Sequence, residues 1–345
     1  MTIARHVKHA SLALIALSSV GVLQGAYANG TPSNTDINNQ ATVDYSVGGV
    51  PQTQISSPVA TFKVDARIDL DVEQLSGPIL TQPGQTNVMA MFRVINTGNS
   101  TQGYRLTVVN DPTGTAGLAG NDNQDVTNIR VFVDSNNNGT YEAGTDTAAN
   151  VDSLATDSNG EEVRVFVLAD IPLTATNNQF ANLRLTARAA VPGSNGANLV
   201  TETVGADNPL AVDVVFADTG RDATDADANQ YQIQSAALTL NKTVTVVSDD
   251  FNGTTNPKAI PNAIVQYTIT VTNNSTTTPA GAVTVTDNIP ANTTYVPGTI
   301  QLNGGGVADG TAFQNGPPAR VVVNAGAVNQ NGGTATVTFR VTINN

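Results

Sequence analysis

Residues 261–275 read PNAIVQYTITVTNNS, and residues 83–100 read PGQTNVMAMFRVINTGNS. Each opens on a proline turn, runs through apolar residues at every second position, and ends on an Asn-containing polar turn. Alternation with a period of two puts one face of the segment on a core and the other in water, which is the pattern of a half-buried strand. The continuations also match. A second strand follows in each, Tyr104 to Val109 and Val283 to Thr286, and then an acidic turn, Asp111-Pro112 and Asp287-Asn288-Ile289-Pro290. Pro83 to Asn96 is 13 residues and Pro261 to Asn273 is 12; Asn96 to Asp111 is 15 and Asn273 to Asp287 is 14. The repeated order of strand, polar turn, strand and Asp turn predicts two related sandwich units of immunoglobulin-like type.

The rest of the chain agrees. Arg67-Ile68-Asp69-Leu70-Asp71-Val72-Glu73 sets three apolar residues against four charges on alternate faces. Similar runs cover Ile129 to Val133, Val163 to Leu168, Leu183 to Ala189, Val212 to Phe216, Leu238 to Val247, Val321 to Val323 and Ala335 to Ile343. Thr and Val favour the pleated sheet and Asn and Gly supply turns, so the expected class is all-β. Asp218 to Gln230 (DTGRDATDADANQ) interrupts this with Asp218, Asp222, Asp225 and Asp227. It reads as a solvated acidic linker, with a cation-binding loop as the sharper alternative.

The first residues carry a different signal. Arg5 and Lys8 precede the apolar run Ala10 to Val22, and Ala26-Tyr27-Ala28 gives the small-x-small pattern of a secretory signal peptide. Cleavage after Ala28 leaves a mature chain beginning at Asn29. Both histidines, His6 and His9, go with the leader. The expected organisation is a signal peptide over 1–28, an N-terminal segment over 29–58, and a β-sandwich over 59–217. The acidic linker over 218–235 and a second sandwich over 236–345 complete it. No later apolar stretch has membrane length, so the mature form is expected to carry no membrane span.

Composition narrows the chemistry. The chain holds 28 acidic and 15 basic residues, and the mature part carries a net charge of −15. Such a balance excludes the Lys/Arg clusters that bind a phosphate backbone, so no nucleic acid is expected. There is no cysteine, hence no disulfide and no thiolate metal site. Without His or Cys, nucleophilic triads and most zinc sites are out of reach. Gly304-Gly305-Gly306 lacks the Lys-Ser/Thr of a phosphate loop. No enzyme is expected.

Two candidate sites remain. Asp134, Asn136 and Asn138 stand at positions 1, 3 and 5 of a loop with Gly139 at 6, the Thr140 carbonyl at 7, Glu142 at 9 and Asp146 just past the closing position. That spacing gathers hard oxygen ligands and predicts Ca²⁺; a plain Asn138-Gly139 hairpin turn is the alternative. Asp249-Asp250-Phe251-Asn252-Gly253 reads as an acidic turn without a ligand array.

Residues 237–345 resemble the conserved repeat domain of bacterial surface and secreted proteins, a domain of unknown function. The likeness lies in "LTLNKTVTVVSDDFNGTTNPKAIPNAIVQYTITVTNNS", "VTVTDNIPANTTYVPGTI" and the terminal "TATVTFRVTIN". The resemblance implies immunoglobulin-like modules in extracellular structural or adhesive proteins. It also implies a closing strand of the form I-x-N-x-A-x-V-x-Y, which is absent before Asn345. The mature N-terminus offers it instead: Ile37, Ala41, Val43 and Tyr45 fall in INNQATVDY. A strand at one end and a vacancy at the other predict self-association by head-to-tail strand donation, which does not close and gives filaments. The alternative is that this segment pairs within its own first domain. The functional expectations are a secreted structural, matrix or filament subunit that associates with itself or with other cell-surface components, or alternatively a calcium-stabilised surface adhesin or glycan-binding module.

Overall fold

A computed structural model describes residues 30–112, 122–156 and 162–345. The expected signal peptide, residues 1–28, lies outside these. The chain is predominantly β, with one helix of four residues among those described.

The first strands form an arm. β1 (Asp36–Asn39) pairs with β6 (Ala60–Lys63), β2 (Thr42–Val43) with β5 (Ile55–Ser56), and β3 (Ser46–Val47) with β4 (Val50–Pro51), all antiparallel. The three pairs make one interrupted hairpin that reverses at Gly48-Gly49. Both glycines have positive φ, 58° and 83°, as a two-residue hairpin turn requires. From each pair to the next the returning strand spends one extra residue, which breaks the ladder.

The body of the N-terminal half contains β7 (Ala66–Ile68), β8 (Leu70–Gln74), β9 (Ile79–Thr81), β10 (Val88–Asn96), β11 (Gln102–Asn110), β12 (Thr127–Val133), β13 (Val151–Leu154), β14 (Glu162–Asp170), β15 (Phe180–Ala190), β16 (Val214–Phe216) and β17 (Thr224–Ile233). They make a four-stranded sheet, β12-β14-β10-β8, and a five-stranded sheet, β13-β11-β15-β17-β9, while β16 runs parallel to β7. One core lies between the two larger sheets. Ile68, Leu70, Phe92 and Val94 meet Tyr104, Leu183, Leu185 and Tyr231 there.

The C-terminal half follows with β18 (Leu238–Ser248), β19 (Ile264–Asn273), β20 (Ala280–Asn288), β21 (Thr293–Tyr295), β22 (Gln301–Leu302), β23 (Gly305–Gly306), β24 (Phe313–Gln314), β25 (Arg320–Val328) and β26 (Gly333–Ile343). One sheet runs β18-β19-β26-β22-β23 with β21 also on β26, and the other runs β20-β25-β24. Ile269, Val271, Phe339 and Val341 from the first pack on Val285, Val321 and Val323 from the second.

The repeated turns fold alike. Pro83-Gly84 and Pro261-Asn262 occupy the centres of four-residue turns closed by Gln85 N–H to Gln82 O at 3.2 Å and Ala263 N–H to Ile260 O at 3.0 Å. Gly84 and Asn262 have φ of 76° and 66°, the positive value that the third residue of a type II turn requires. Asn96 and Asn273 are both fully buried. Asn96 Oδ1 accepts Gly98 N–H at 3.1 Å and its Nδ2 donates to the Ser100 and Leu154 carbonyls. Asn273 Oδ1 accepts Ser275 N–H at 3.1 Å and its Nδ2 donates to the Thr278 and Val328 carbonyls. One amide therefore fixes the turn and ties it to a neighbouring strand in each half.

One expectation is corrected. The acidic stretch 218–235 is not a linker: Thr224–Ile233 is β17, paired along its length with β15 and carrying Tyr231 and Ile233 into the first core. The carboxylates that suggested solvent have backbone partners instead. Asp225 Oδ2 accepts Val72 N–H and Asp227 Oδ2 accepts Gln74 N–H, so β17 and β8 are joined by side chains. The first core therefore extends to residue 233 rather than ending at 217.

Candidate functional site

Two surfaces stand out by what they leave exposed. The first is the arm. Every residue from Ala41 to Ser56 is exposed, including Val43 at 57 %, Tyr45 at 45 %, Val47, Val50 and Ile55. Ala41, Val43, Tyr45 and Val47 share one face of the outgoing strand, because strand side chains alternate. Soluble proteins seldom leave such a contiguous apolar face bare. The sequence-predicted donor segment Ile37 to Tyr45 thus takes its backbone partners from its own chain: Ile37 faces Phe62 and Val43 faces Ile55. What stays open is the ribbon's outer edge and its apolar side chains.

The arm's root is fastened firmly. Asn99, nearly buried, donates from Nδ2 to the Thr31 and Asp65 carbonyls at 3.1 and 2.9 Å and accepts Arg67 N–H at 2.8 Å. Lys63 N–H donates to Pro209 O at 2.9 Å. Lys63 Nζ sits 2.9 Å from Asp36 Oδ1 across the ribbon.

At the same root, Asp65, Asp207 and Asp213 each bring a carboxylate oxygen within 4.8 Å of the others and could coordinate a metal ion. Asp65 Oδ1 also accepts Asp213 N–H. Sequence reasoning missed this group, because Asp65 lies far along the chain from Asp207 and Asp213 and only the fold brings the three together.

The second surface is in the C-terminal half. Strands β18 and β20 are the edges of two facing sheets, and a groove of about 460 Å³ opens between them. Leu238, Leu240, Val283 and Val285 line it, with Lys242 and Asp287. Leu240 is 69 % exposed and Val244, on the same face of β18, 59 %. Lys242 Nζ reaches across to Asp287 Oδ2 at 2.6 Å while lying 4.5 Å from the centre of the Tyr267 ring.

The predicted calcium loop forms between β12 and β13. Its two outer carboxylates are buried, Asp134 at 2 % and Asp146 at 1 % exposure. Asp134 accepts Asn138 and Gly139 N–H, and Asp146 accepts Ser135 and Glu142 N–H. The Asn136 and Asn138 amides both reach Glu142 Oε2, at 2.7 and 3.0 Å. Thr140 N–H donates to Asn138 Oδ1. Gly139 has φ of 76°, in the left-handed region that favours glycine. The loop thus brings Asn136, Asn138 and Glu142 together and holds Asp134 and Asp146 by backbone donors. Beside it Tyr141 packs on Phe132 and Phe166 at 4.9 and 6.0 Å. Met89, Met91 and Arg130 complete an open groove of about 700 Å³ there.

The second acidic turn is closed internally. Asp249 accepts Phe251, Asn252 and Lys258 N–H at 2.8, 2.6 and 2.5 Å. These donors hold its carboxyl well below the usual carboxylate range.

No family model matches the chain and no curated protein does. Among solved structures, the chain is similar to "BspA_C_WT" at 9 % identity and a TM-score of 0.33, over 80 % of this chain and 91 % of that one. It is similar to the class 5 fimbriae chaperone CfaA at 10 % identity and a TM-score of 0.23, over 76 % and 83 %. A putative membrane-anchored protein from Corynebacterium diphtheriae aligns at 12 % identity and a TM-score of 0.21, over 90 % and 89 %. Likenesses at these TM-scores carry no functional argument. Among the described residues, no helix is long and apolar enough to cross a membrane.

Proposed function

We propose that the chain is a secreted, non-catalytic structural protein of the bacterial exterior whose copies assemble head-to-tail into filaments by β-strand addition. The signal-peptide pattern over 1–28 supports export. Two immunoglobulin-like sandwiches of the conserved repeat type form the subunit, a reading supported by the two paired-sheet cores and the shared Pro and Asn turns. The observation that carries the proposal is the arm: sixteen consecutive exposed residues, 41–56, with an alternating apolar face and a free backbone edge. Strand addition would satisfy that edge and bury that face at once.

Electron microscopy and sedimentation of residues 29–345 test this. Asn39 and Ala60 are paired, so replacing residues 40–59 by an Asn-Gly turn closes the hairpin without its tip. Full-length mature protein should form polymers and the shortened form should remain monomeric with the same melting curve. Polymers of equal length from both forms would remove the arm from assembly.

A calcium-stabilised adhesin is the second reading, favoured by the groove lined by Met89, Met91, Arg130 and Tyr141 beside the Asp134–Asp146 loop. Binding of monomers to an immobilised glycan, without polymer formation, would favour it.

A further inference from the structure

β18 is the anomaly of the C-terminal half. Its even-numbered face ends in Val246, which packs on the second core, yet Leu238, Leu240 and Val244 on that face are 46, 69 and 59 % exposed. The cause is a difference in width. The sheet that contains β18 has four further strands in its path, but the opposing sheet stops at β20 after three. In the N-terminal half the strand that pairs with β10, as β18 pairs with β19, is covered: β8 meets β17 through Asp225 and Asp227. For β18 the corresponding tie is the Lys242–Asp287 ion pair to β20, and among the described residues no strand covers Leu240 or Val244. One more strand beside β20 would fill the groove and lie over Leu240 and Val244.

We infer that the groove between β18 and β20 is the receptor for the N-terminal arm of a second copy, whose outgoing strand, residues 41–47, adds to the free edge of β20. This rests on the self-assembly reading and locates its second contact. The resulting sheet runs β24-β25-β20 and then the two arm strands of the neighbour. Ala41, Val43, Tyr45 and Val47 face the groove. Asp44, the one charge between Gln40 and Ser57, points the other way and stays in water. The charges already in the groove, Lys242 and Asp287, neutralise each other.

Charge selects this occupant over a symmetric pairing of arms. Residues 29–235 hold 24 acidic and nine basic residues, a net of −15, whereas residues 236–345 hold four of each and are neutral. Joining two N-terminal halves sets −15 against −15. Seating the arm on a C-terminal half sets it against a neutral surface, and each copy then offers a free arm to the next.

The absence of native cysteine makes the test clean. Val43→Cys and Leu240→Cys variants, each with a single thiol, are mixed and treated with a short bismaleimide; Val43→Cys with Thr243→Cys, on the opposite face of β18, is the control. A linked dimer from the first mixture alone is expected. In parallel, Leu240→Asp should lower the polymerised fraction at least about tenfold while Thr243→Asp leaves it unchanged. Both positions are exposed, so the melting curve should hold. Wild-type polymers without the Leu240 cross-link, and persisting in Leu240→Asp, would overturn the groove assignment and leave self-assembly standing. Wild-type protein that stays monomeric would overturn both.

Discussion

Asp225 Oδ2 accepts the Val72 backbone N–H at 2.6 Å, and two residues along the strand Asp227 Oδ2 accepts Gln74 N–H at 2.7 Å. Two carboxylates of β17 thus act as hydrogen-bond rungs for β8, which ends its own sheet. A stretch that looks solvated by composition is structural by position. Removing Asp225 strands the N–H of buried Val72, so Asp225→Ala should cost about 1–3 kcal/mol in denaturant unfolding, while Asp227→Ala, at exposed Gln74, should cost about 0.5–1 kcal/mol. Wild-type midpoints for both would show that water replaces these rungs freely.

Asn96 and Asn273 predict a matched pair of effects. Each buried amide accepts an N–H of its own turn and donates to two carbonyls, and Asn273 Oδ1 also accepts Ala237 N–H. Asn96→Ala and Asn273→Ala should each destabilise their half by roughly 2–3 kcal/mol, at about 1 kcal/mol per lost bond. Thermal unfolding should shift one transition in each variant and not the other. Equal loss of both transitions would mean the halves unfold as one unit.

Tyr104 is fully buried and its hydroxyl has no hydrogen-bond partner among the described residues. Burial pushes its ionisation far above the usual range. Deleting an unsatisfied hydroxyl relieves a desolvation cost, so Tyr104→Phe should be neutral or stabilising by up to about 1 kcal/mol. A clear loss of stability would reveal a partner for that oxygen.

Asp71 sits beside Asp225, Asp69 and Glu73; partial burial first, and then these neighbours, raise its pKa. A carboxyl raised in the folded state binds its proton there before the unfolded chain does. Stability from this group therefore increases as pH falls through the raised value and is lowest at neutral pH. Asp71→Asn should raise unfolding stability at pH 7 slightly, by about a few tenths of a kcal/mol because the group is screened by water. The difference from wild type should vanish in acid. A gain independent of pH would point to packing instead.

For calcium, the measurement is melting in EDTA with Ca²⁺ restored. Binding at a hundredfold excess over Kd stabilises by about 2.7 kcal/mol. Asp134→Ala and Asp146→Ala should abolish the response, and Asp65→Ala should report separately on the root of the arm. No shift on adding Ca²⁺ would leave the loop as a turn held by its own hydrogen bonds.

The strands were legible wherever one face is buried and the other is wet. The alternation within residues 83–100 is that of β10, which spans Val88–Asn96 with every second residue buried. The Pro and Asn positions were legible because turn geometry is local: Pro83-Gly84 and Pro261-Asn262 need only their own residues to set φ. The calcium-loop residues were found because their spacing is sequential. Asp225 and Asp227 were misread, because a carboxylate on a strand is distinguished from one in a linker only by the N–H groups 153 positions away. Asp65, Asp207 and Asp213 were missed for the same reason.

The order of residues alone determined the β class, the strand periodicity, the turn chemistry and the absence of Cys and of any His after His9, all of which depend on neighbours in the chain or on composition. Only the tertiary arrangement decided which edges are left without a partner. That Ile37 to Tyr45 folds back into a ribbon, and that β18 faces a sheet of fewer strands than its own, are consequences of long-range pairing, and no local pattern encodes an uncovered strand edge.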